Sequence, residues 1–204
     1  MKRLIIVGAG GHGTVVADIA EKTERYSQIA FLDDKKTGEH FGLPILGTTE
    51  NMGQYIQDSE FFVAIGNSSI REKIMLALRE QGAEFATLVH PKTTIGRGVE
   101  IGKGSVIMAG VVINPCVKIG DGVIINTCAS VDHNCIIGDF CHISVGAHIA
   151  GTVWLQNHVW IGAGAILRND IKICAECMIG AGAVAVKDIV RKGTYIGVPA
   201  REKK

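Results

Sequence analysis

Asp132 and His133 stand side by side in the run Asn126-Thr-Cys-Ala-Ser-Val-Asp132-His133-Asn134, and His142 follows nine residues after His133. A neutral imidazole, with a reference pKa near ~6.5, accepts a proton at neutral pH, and a carboxylate beside it can fix its tautomer. His133 is therefore the candidate general base and Asp132 its orienting acid. Neighbouring strand residues point to opposite faces, so the pair works together only where the chain turns. The competing reading is a pair of solvated corner residues. A second constellation lies near the start, where Gly8-Ala9-Gly10-Gly11-His12-Gly13 has the G-x-G-x-x-G form and Asp33 falls twenty residues after Gly13. Bare amides at a helix N-terminus hold phosphate, and an acid at the next strand end holds a ribose hydroxyl.

The elements that must position these groups change character along the chain. Residues 3–7 form an apolar strand candidate before the glycines, and Val15, Val16, Ile19 and Ala20 follow at helical spacing. Residues 28–32 read as a second strand ending in Asp33-Asp34, and 60–65 as a third ending in Gly66-Asn67. Residues 68–81 carry an amphipathic helix stopped by Gly82, and 84–89 would be a fourth strand. Strand alternating with helix predicts a small Rossmann-like parallel sheet over residues 1–90. Ninety residues supply about one mononucleotide-binding half, which favours a single nucleotide over a dinucleotide. Gly10, Gly11, His12, Asp33, Asp34, Gly66 and Asn67 would converge on one crevice at the strand ends. The alternative is that the glycines only make tight turns.

From residue 91 to 204 a period of six takes over. An aliphatic residue recurs at sixteen positions from Ile95 to Ala185, the last alone being alanine, and a second small or apolar residue follows four places after each. That period fits neither a helix nor a simple strand, but it fits a β-helix with one hexapeptide per side. Three sides make a coil, and coils stack at ~4.8 Å. His142 lies one and a half sides from His133, so one coil does not bring them together, whereas two chains packed side by side do. Cys135, Cys141 and Cys177 occupy the small inward slot, where cysteine is a compact hydrophobe. Cys174-x-x-Cys177 lacks the second pair that a zinc site needs. The intervals of nine, six and ten between His133, His142, His148 and His158 contain no H-x-x-x-x-H pair either, so no metal is expected.

Composition sets the remaining limits. A net charge of +1 offers no footprint for nucleic acid or anionic membrane. Hydrophobic residues make up 47% of the chain, yet no apolar run approaches the ~18 residues of a membrane span. A cytoplasmic protein follows as the default.

Taken together, the hexapeptide run, residues 8–13, Phe31-Leu32-Asp33-Asp34, Ala64-Ile65-Gly66-Asn67, Val131-Asp132-His133, His142-Ile-Ser-Val-Gly146 and Gly197-Val198-Pro199-Ala200 resemble one family over nearly all 204 residues. It is the NeuD/PglD-type family of sugar O-/N-acetyltransferases. The resemblance implies a left-handed β-helix, a homotrimer with sites between subunits, and acetyl-CoA as co-substrate. It implies transfer of acetyl to the 4-amino group of a UDP-linked amino-sugar. An O-acetyltransferase of sialic acid and a non-catalytic sugar-nucleotide scaffold are the alternatives. By the same resemblance His133 is the base, Asn126 lies near the reacting amine, and His142 comes from the adjoining subunit. Gly151 would meet the thioester carbonyl, and Ala163 and Ala181 would line the pantetheine arm. Where some members carry a glutamate, this chain has the shorter Asp132.

Overall fold

The computed structural model describes residues 2–203, and the chain divides into two compact units, one ending at Pro91 and the other beginning at Lys92. In the first unit β1 (Lys2–Val7) lies at the centre of a six-stranded sheet. Its run of Leu4, Ile5, Ile6 and Val7 is fully buried, as expected of a strand covered on both faces. Parallel neighbours are β2 (Tyr26–Leu32) and β5 (Ser59–Val63), and Glu84–Phe85 (β6) extends the sheet beyond β5. The helices are α1 (Gly11–Lys22) and α2 (Ser68–Glu80).

Two details depart from the sequence expectation. The predicted strand over 84–89 breaks after Phe85, and Leu88–Val89 is a separate short strand. A hairpin of β3 (Gly38–His40) and β4 (Leu43–Ile45) pairs beside β2. Its turn places Phe41 and Gly42 at φ 53° and 71°, the left-handed pair of a type I′ turn. Three-residue strands of mixed polarity give no alternation to read, so this hairpin is invisible to periodicity.

The glycine loop is explained residue by residue. Gly8 has φ 105°, which only glycine adopts freely. A side chain at Gly13 would strike the Gly8 carbonyl oxygen, so the third glycine lets α1 pack against its own entry loop. Gly10 has open space around it, leaving the helix N-terminus accessible.

The second unit is a left-handed parallel β-helix. Two-residue strands stack into three walls, each with a register of eighteen residues, as in Ser130↔His148, Ile136↔Trp154 and Ile124↔His142. The aliphatic row points inward and is no more than 5% exposed from Ile107 to Ala185. Ile95, on the first coil, is 39% exposed. Where the inward slot holds a polar atom, that atom donates to a corner carbonyl of the next coil. Ser105 Oγ reaches Gly120 O at 2.9 Å, Cys135 Sγ reaches Ala150 O at 3.2 Å, and Cys141 Sγ reaches Gln156 O at 3.1 Å. The inward cysteines are thus core residues that also carry a weak donor.

Every sixth residue from Gly98 to Gly182 has positive φ, and more than half of these corners are not glycine; Phe140, Thr152 and His158 are among them. The left-handed region costs a non-glycine residue ~1–2 kcal/mol. Each such residue donates its N–H to a carbonyl nineteen positions earlier, as Thr152 does to His133 at 2.9 Å. The stacked coils therefore hold each strained corner in place. At the C-terminal end the coil shortens, with Ile173 opposite Ile189 and Met178 opposite Thr194, and Thr194–Ile196 closes the wall.

Candidate active site

Consecutive corners stack into edges, and two of these carry the predicted chemistry. One edge contains residues 132–134 and 150–152, the other 126–128, 144–146, 162–164 and 180–182. The wall between them carries Val112, Ser130, His148 and Ile166 outward.

On the first edge, Asp132 Oδ1 accepts from Asn114 Nδ2 at 2.6 Å and from the His133 backbone N–H at 2.7 Å. The Asn114 amide first, then the His133 N–H, hold its carboxyl below the usual carboxylate range. Asp132 therefore braces the corner backbone and makes no hydrogen bond to the imidazole. The ring's neighbour is Asn134, with Nδ2 at 3.2 Å from His133 Nδ1. Turning that amide by half a rotation presents Oδ1 to an Nδ1–H and leaves the Nε2 lone pair for a substrate. Asn134 is quoted in the sequence run but given no role there, and Asn114, one coil below, is not singled out at all. The imidazole also lies against Gly151. A Cβ at that glycine would stand 2.7 Å from both Cε1 and Nε2 of His133.

On the second edge, Asn126 Oδ1 accepts from Thr127 N at 2.8 Å, and Nδ2 lies 3.4 Å from His142 Nε2. His142 stacks on Trp160 with centroids 5.6 Å apart and planes 6° from parallel. Trp160 is fixed in turn by Nε1–H donating to Ser144 Oγ at 2.8 Å. Asn126 and His142 thus meet each other within the chain, while His133 sits on the other edge. His148 bonds Ser130 Oγ at 2.8 Å on the wall between, and His158 stacks on Phe140.

Corner amides differ in whether a side chain meets them. Those of Thr127, His133, Asp139 and Ala175 are satisfied by a side-chain oxygen from an Asn, Asp or Gln. The amides of Gly151, Ala163 and Ala181 take no partner among the described residues. These are the three positions expected to meet an acyl-thioester and its arm.

In the first unit the acids at the strand ends hydrogen-bond to backbone amides. Asp33 Oδ2 accepts from Ala9 N at 2.7 Å, and Oδ1 from Lys35 N at 2.9 Å and Lys36 N at 3.0 Å. Burial would raise its pKa, but these bonds prevail and lower it. Asp34 Oδ1 accepts from Thr49 N at 2.8 Å, and Asn67 Oδ1 caps α2 through Ile70 N at 3.0 Å. All three use side-chain oxygens to pin the loops at the strand ends. Gly10 caps α1 without a side-chain bond, so the amides of Gly11 and His12 remain at its positive end. His12 Nε2 is buried with no partner, and its pKa falls to about 4 through burial first and the Arg71 charge second. Arg71, fully buried on α2, donates to Ile65 O at 2.7 Å and Gly66 O at 3.0 Å at the end of the strand. This arginine is not singled out in the sequence analysis.

Among the described residues no group of three or more His, Cys, Asp or Glu could hold a metal ion, and no helix is long and apolar enough to cross a membrane.

Residues 3–78 match the family model of the PglD N-terminal domain, and residues 98–133 and 152–185 match the bacterial transferase hexapeptide model. The chain is 32% identical to GDP-perosamine N-acetyltransferase of Escherichia coli O157:H7, over 98% of this chain and 95% of that one. It is 37% identical to UDP-N-acetylbacillosamine N-acetyltransferase of Bacillus subtilis, over 53% of this chain and 52% of that one. Among solved structures, the acetyltransferase domain of PglB from Neisseria gonorrhoeae in complex with acetyl coenzyme A superposes with a TM-score of 0.96 at 39% identity, covering 99% of each chain. PerB from Caulobacter crescentus, in complex with CoA and GDP-perosamine, gives a TM-score of 0.92 at 33% identity, covering 100% of this chain and 98% of that one.

Proposed function

This chain belongs to the NeuD/PglD-type family of hexapeptide-repeat sugar acetyltransferases, and from that premise we propose that it moves acetyl from acetyl-CoA to the 4-amino group of a nucleotide-linked amino-sugar. The observation that carries the reading is the set of free amides at Gly151, Ala163 and Ala181 beside two histidine-bearing edges. His133 and Gly151 stand at one end of a wall, and Asn126, His142, Ala163 and Ala181 at the other. Cyclic packing of copies on that wall brings opposite ends of neighbouring copies together. Val112 and Ile166, 40% and 44% exposed, make the wall partly apolar, and a groove of about 300 Å³ runs along it. The active assembly is therefore a trimer with sites between subunits. Mass measurement by light scattering tests this against the 21.7 kDa monomer.

In the reaction the sugar amine attacks the thioester carbonyl while His133 Nε2 takes the amine proton. The Gly151 N–H faces the developing oxyanion. As the C–S bond breaks, the imidazolium returns its proton to the CoA thiolate, giving the N-acetyl sugar and free CoA thiol. No cysteine is required as a nucleophile. Asn126, held against His142, borders the amine from the neighbouring subunit. Both substrates share one groove, and much of the acceleration comes from that alignment.

The crevice of the first unit holds the nucleotide, with the diphosphate at the amides of Gly11 and His12. Uridine diphosphate is the carrier implied by the resemblance to the bacillosamine branch. One relative that spans both units is named for a GDP-linked sugar, which makes guanosine the second reading. A thiol-release assay with acetyl-CoA against UDP-, GDP- and dTDP-linked 4-amino-sugars and free sialic acid decides between them. Turnover with sialic acid alone would sink the N-acetyl assignment, and binding without turnover on any acceptor would favour the scaffold.

A further inference from the structure

Cys174 and Cys177 take no part in the site above, yet their sulfur atoms lie 3.3 Å apart across one corner of the solenoid. The geometry is specific to this pair. Cys135 and Cys141 are buried and point to carbonyls of the next coil. Cys116 and Cys128 are exposed but stand on different edges. Cys174 occupies the corner slot that Gly102, Gly120 and Gly138 fill lower on the same edge, and it is half-exposed. Cys177 is in the inward slot, buried, with Sγ 3.3 Å from Arg191 O. Four residues bridging a corner keep the two Cα atoms within the ~7 Å of a tight turn, close to the separation a disulfide spans.

We propose that Cys174 and Cys177 form a two-electron redox site, closed to an intramolecular disulfide by exchange with a small disulfide such as oxidised glutathione. The Cys174 thiolate, the accessible one, attacks the small disulfide, forms a mixed disulfide and releases one thiol. Cys177 then gives up its proton to solvent and attacks Cys174 Sγ, which expels the second thiolate to be protonated in turn. The net reaction converts a protein dithiol and one small disulfide into a protein disulfide and two small thiols. Burial, and then the Cys174 thiol, push the Cys177 thiol up to about 12. The closing step is accordingly the slow one and quickens as pH rises.

The test uses the whole folded protein and the convenient fact that trypsin, cutting after Lys172 and Lys187, places both cysteines and no others on residues 173–187. The protein is equilibrated in glutathione buffers of increasing oxidised fraction, trapped with N-ethylmaleimide and digested. The expected product is peptide 173–187 with its labels falling from two to none and a mass two hydrogens below that of the unlabelled dithiol peptide. In the Cys174→Ser variant Cys177 should keep its label under the same buffers. Two labels retained on this peptide while Cys116 and Cys128 react would overturn the proposal. A stable glutathione adduct on Cys174 with Cys177 still labelled would overturn it equally.

Discussion

Replacing Gly151 by alanine tests the active-site geometry with a single methyl group. The new Cβ would stand 2.7 Å from His133 Cε1 and Nε2. Carbon contacts settle near ~3.5 Å, so the imidazole must retreat by about 0.8 Å. The ring can do so, because His133 lies on an exposed corner and Gly151 is not in the left-handed region. Folding should therefore be almost untouched. Displacement of a reacting group by ~1 Å costs on the order of 100-fold in rate, about 2.7 kcal/mol of barrier. Steady-state thiol release should show kcat down about 100-fold, with the thermal midpoint within ~2 °C of the parent. The decisive arm is a double-mutant cycle. If the methyl acts by moving the base, Gly151→Ala adds nothing in a His133→Ala background, which itself loses at least ~100-fold. Multiplication of the two losses to ~10⁴-fold, or a full-speed Gly151→Ala enzyme, would refute the reasoning.

Other outcomes follow from the same structure. Trp160→Ala removes the plate against which His142 stacks and should lower kcat about tenfold, whereas Trp160→Phe, which keeps the stack and loses only the Ser144 bond, should recover most of it; equal losses would deny the stacking role. Gly13→Ala drives a methyl into the Gly8 carbonyl and should destabilise the first unit by about 1–3 kcal/mol in urea titration. His12 carries its own pH signature: its folded pKa is depressed to about 4 against ~6.5 unfolded, so the unfolded chain binds the extra proton and stability falls as pH drops through that window. Between pH 6.5 and 5 the loss should be about 1.6 kcal/mol and be absent in His12→Gln; an unchanged slope in that variant would contradict it.

The period of six made the solenoid, its inward row and its cysteine slots legible before any coordinates, because one residue type per side is enough to define a coil. Residues 8–13 were legible in part, since Gly8 and Gly13 each answer a separate steric demand. What could not be read was direction. Asp33, Asp34 and Asn67 are polar residues at strand ends, and their spacing does not say that all three turn oxygens onto backbone amides. Asp132 does stand beside His133, but adjacency in sequence does not say whether a carboxylate meets a neighbour's ring or its N–H. Asn114, eighteen residues away in the chain, reaches Asp132 only once the coil length is known. Arg71 is fully buried because carbonyls at a strand end need a donor, a tertiary requirement with no local pattern.

The eighteen-residue register also constrains how such a chain can change over evolutionary time. A single inserted residue within a wall would rotate every later side chain out of phase and leave the downstream corners without their carbonyl partners. Additions must therefore bulge outward at a corner or arrive as a whole coil. Removal of one coil between Asn126 and Ala181 would delete one rung of the amide row and shorten the groove by ~4.8 Å. On the proposed function, the length of acyl donor that fits is thus counted in coils, and the chain can lengthen or shorten that measure only in whole steps.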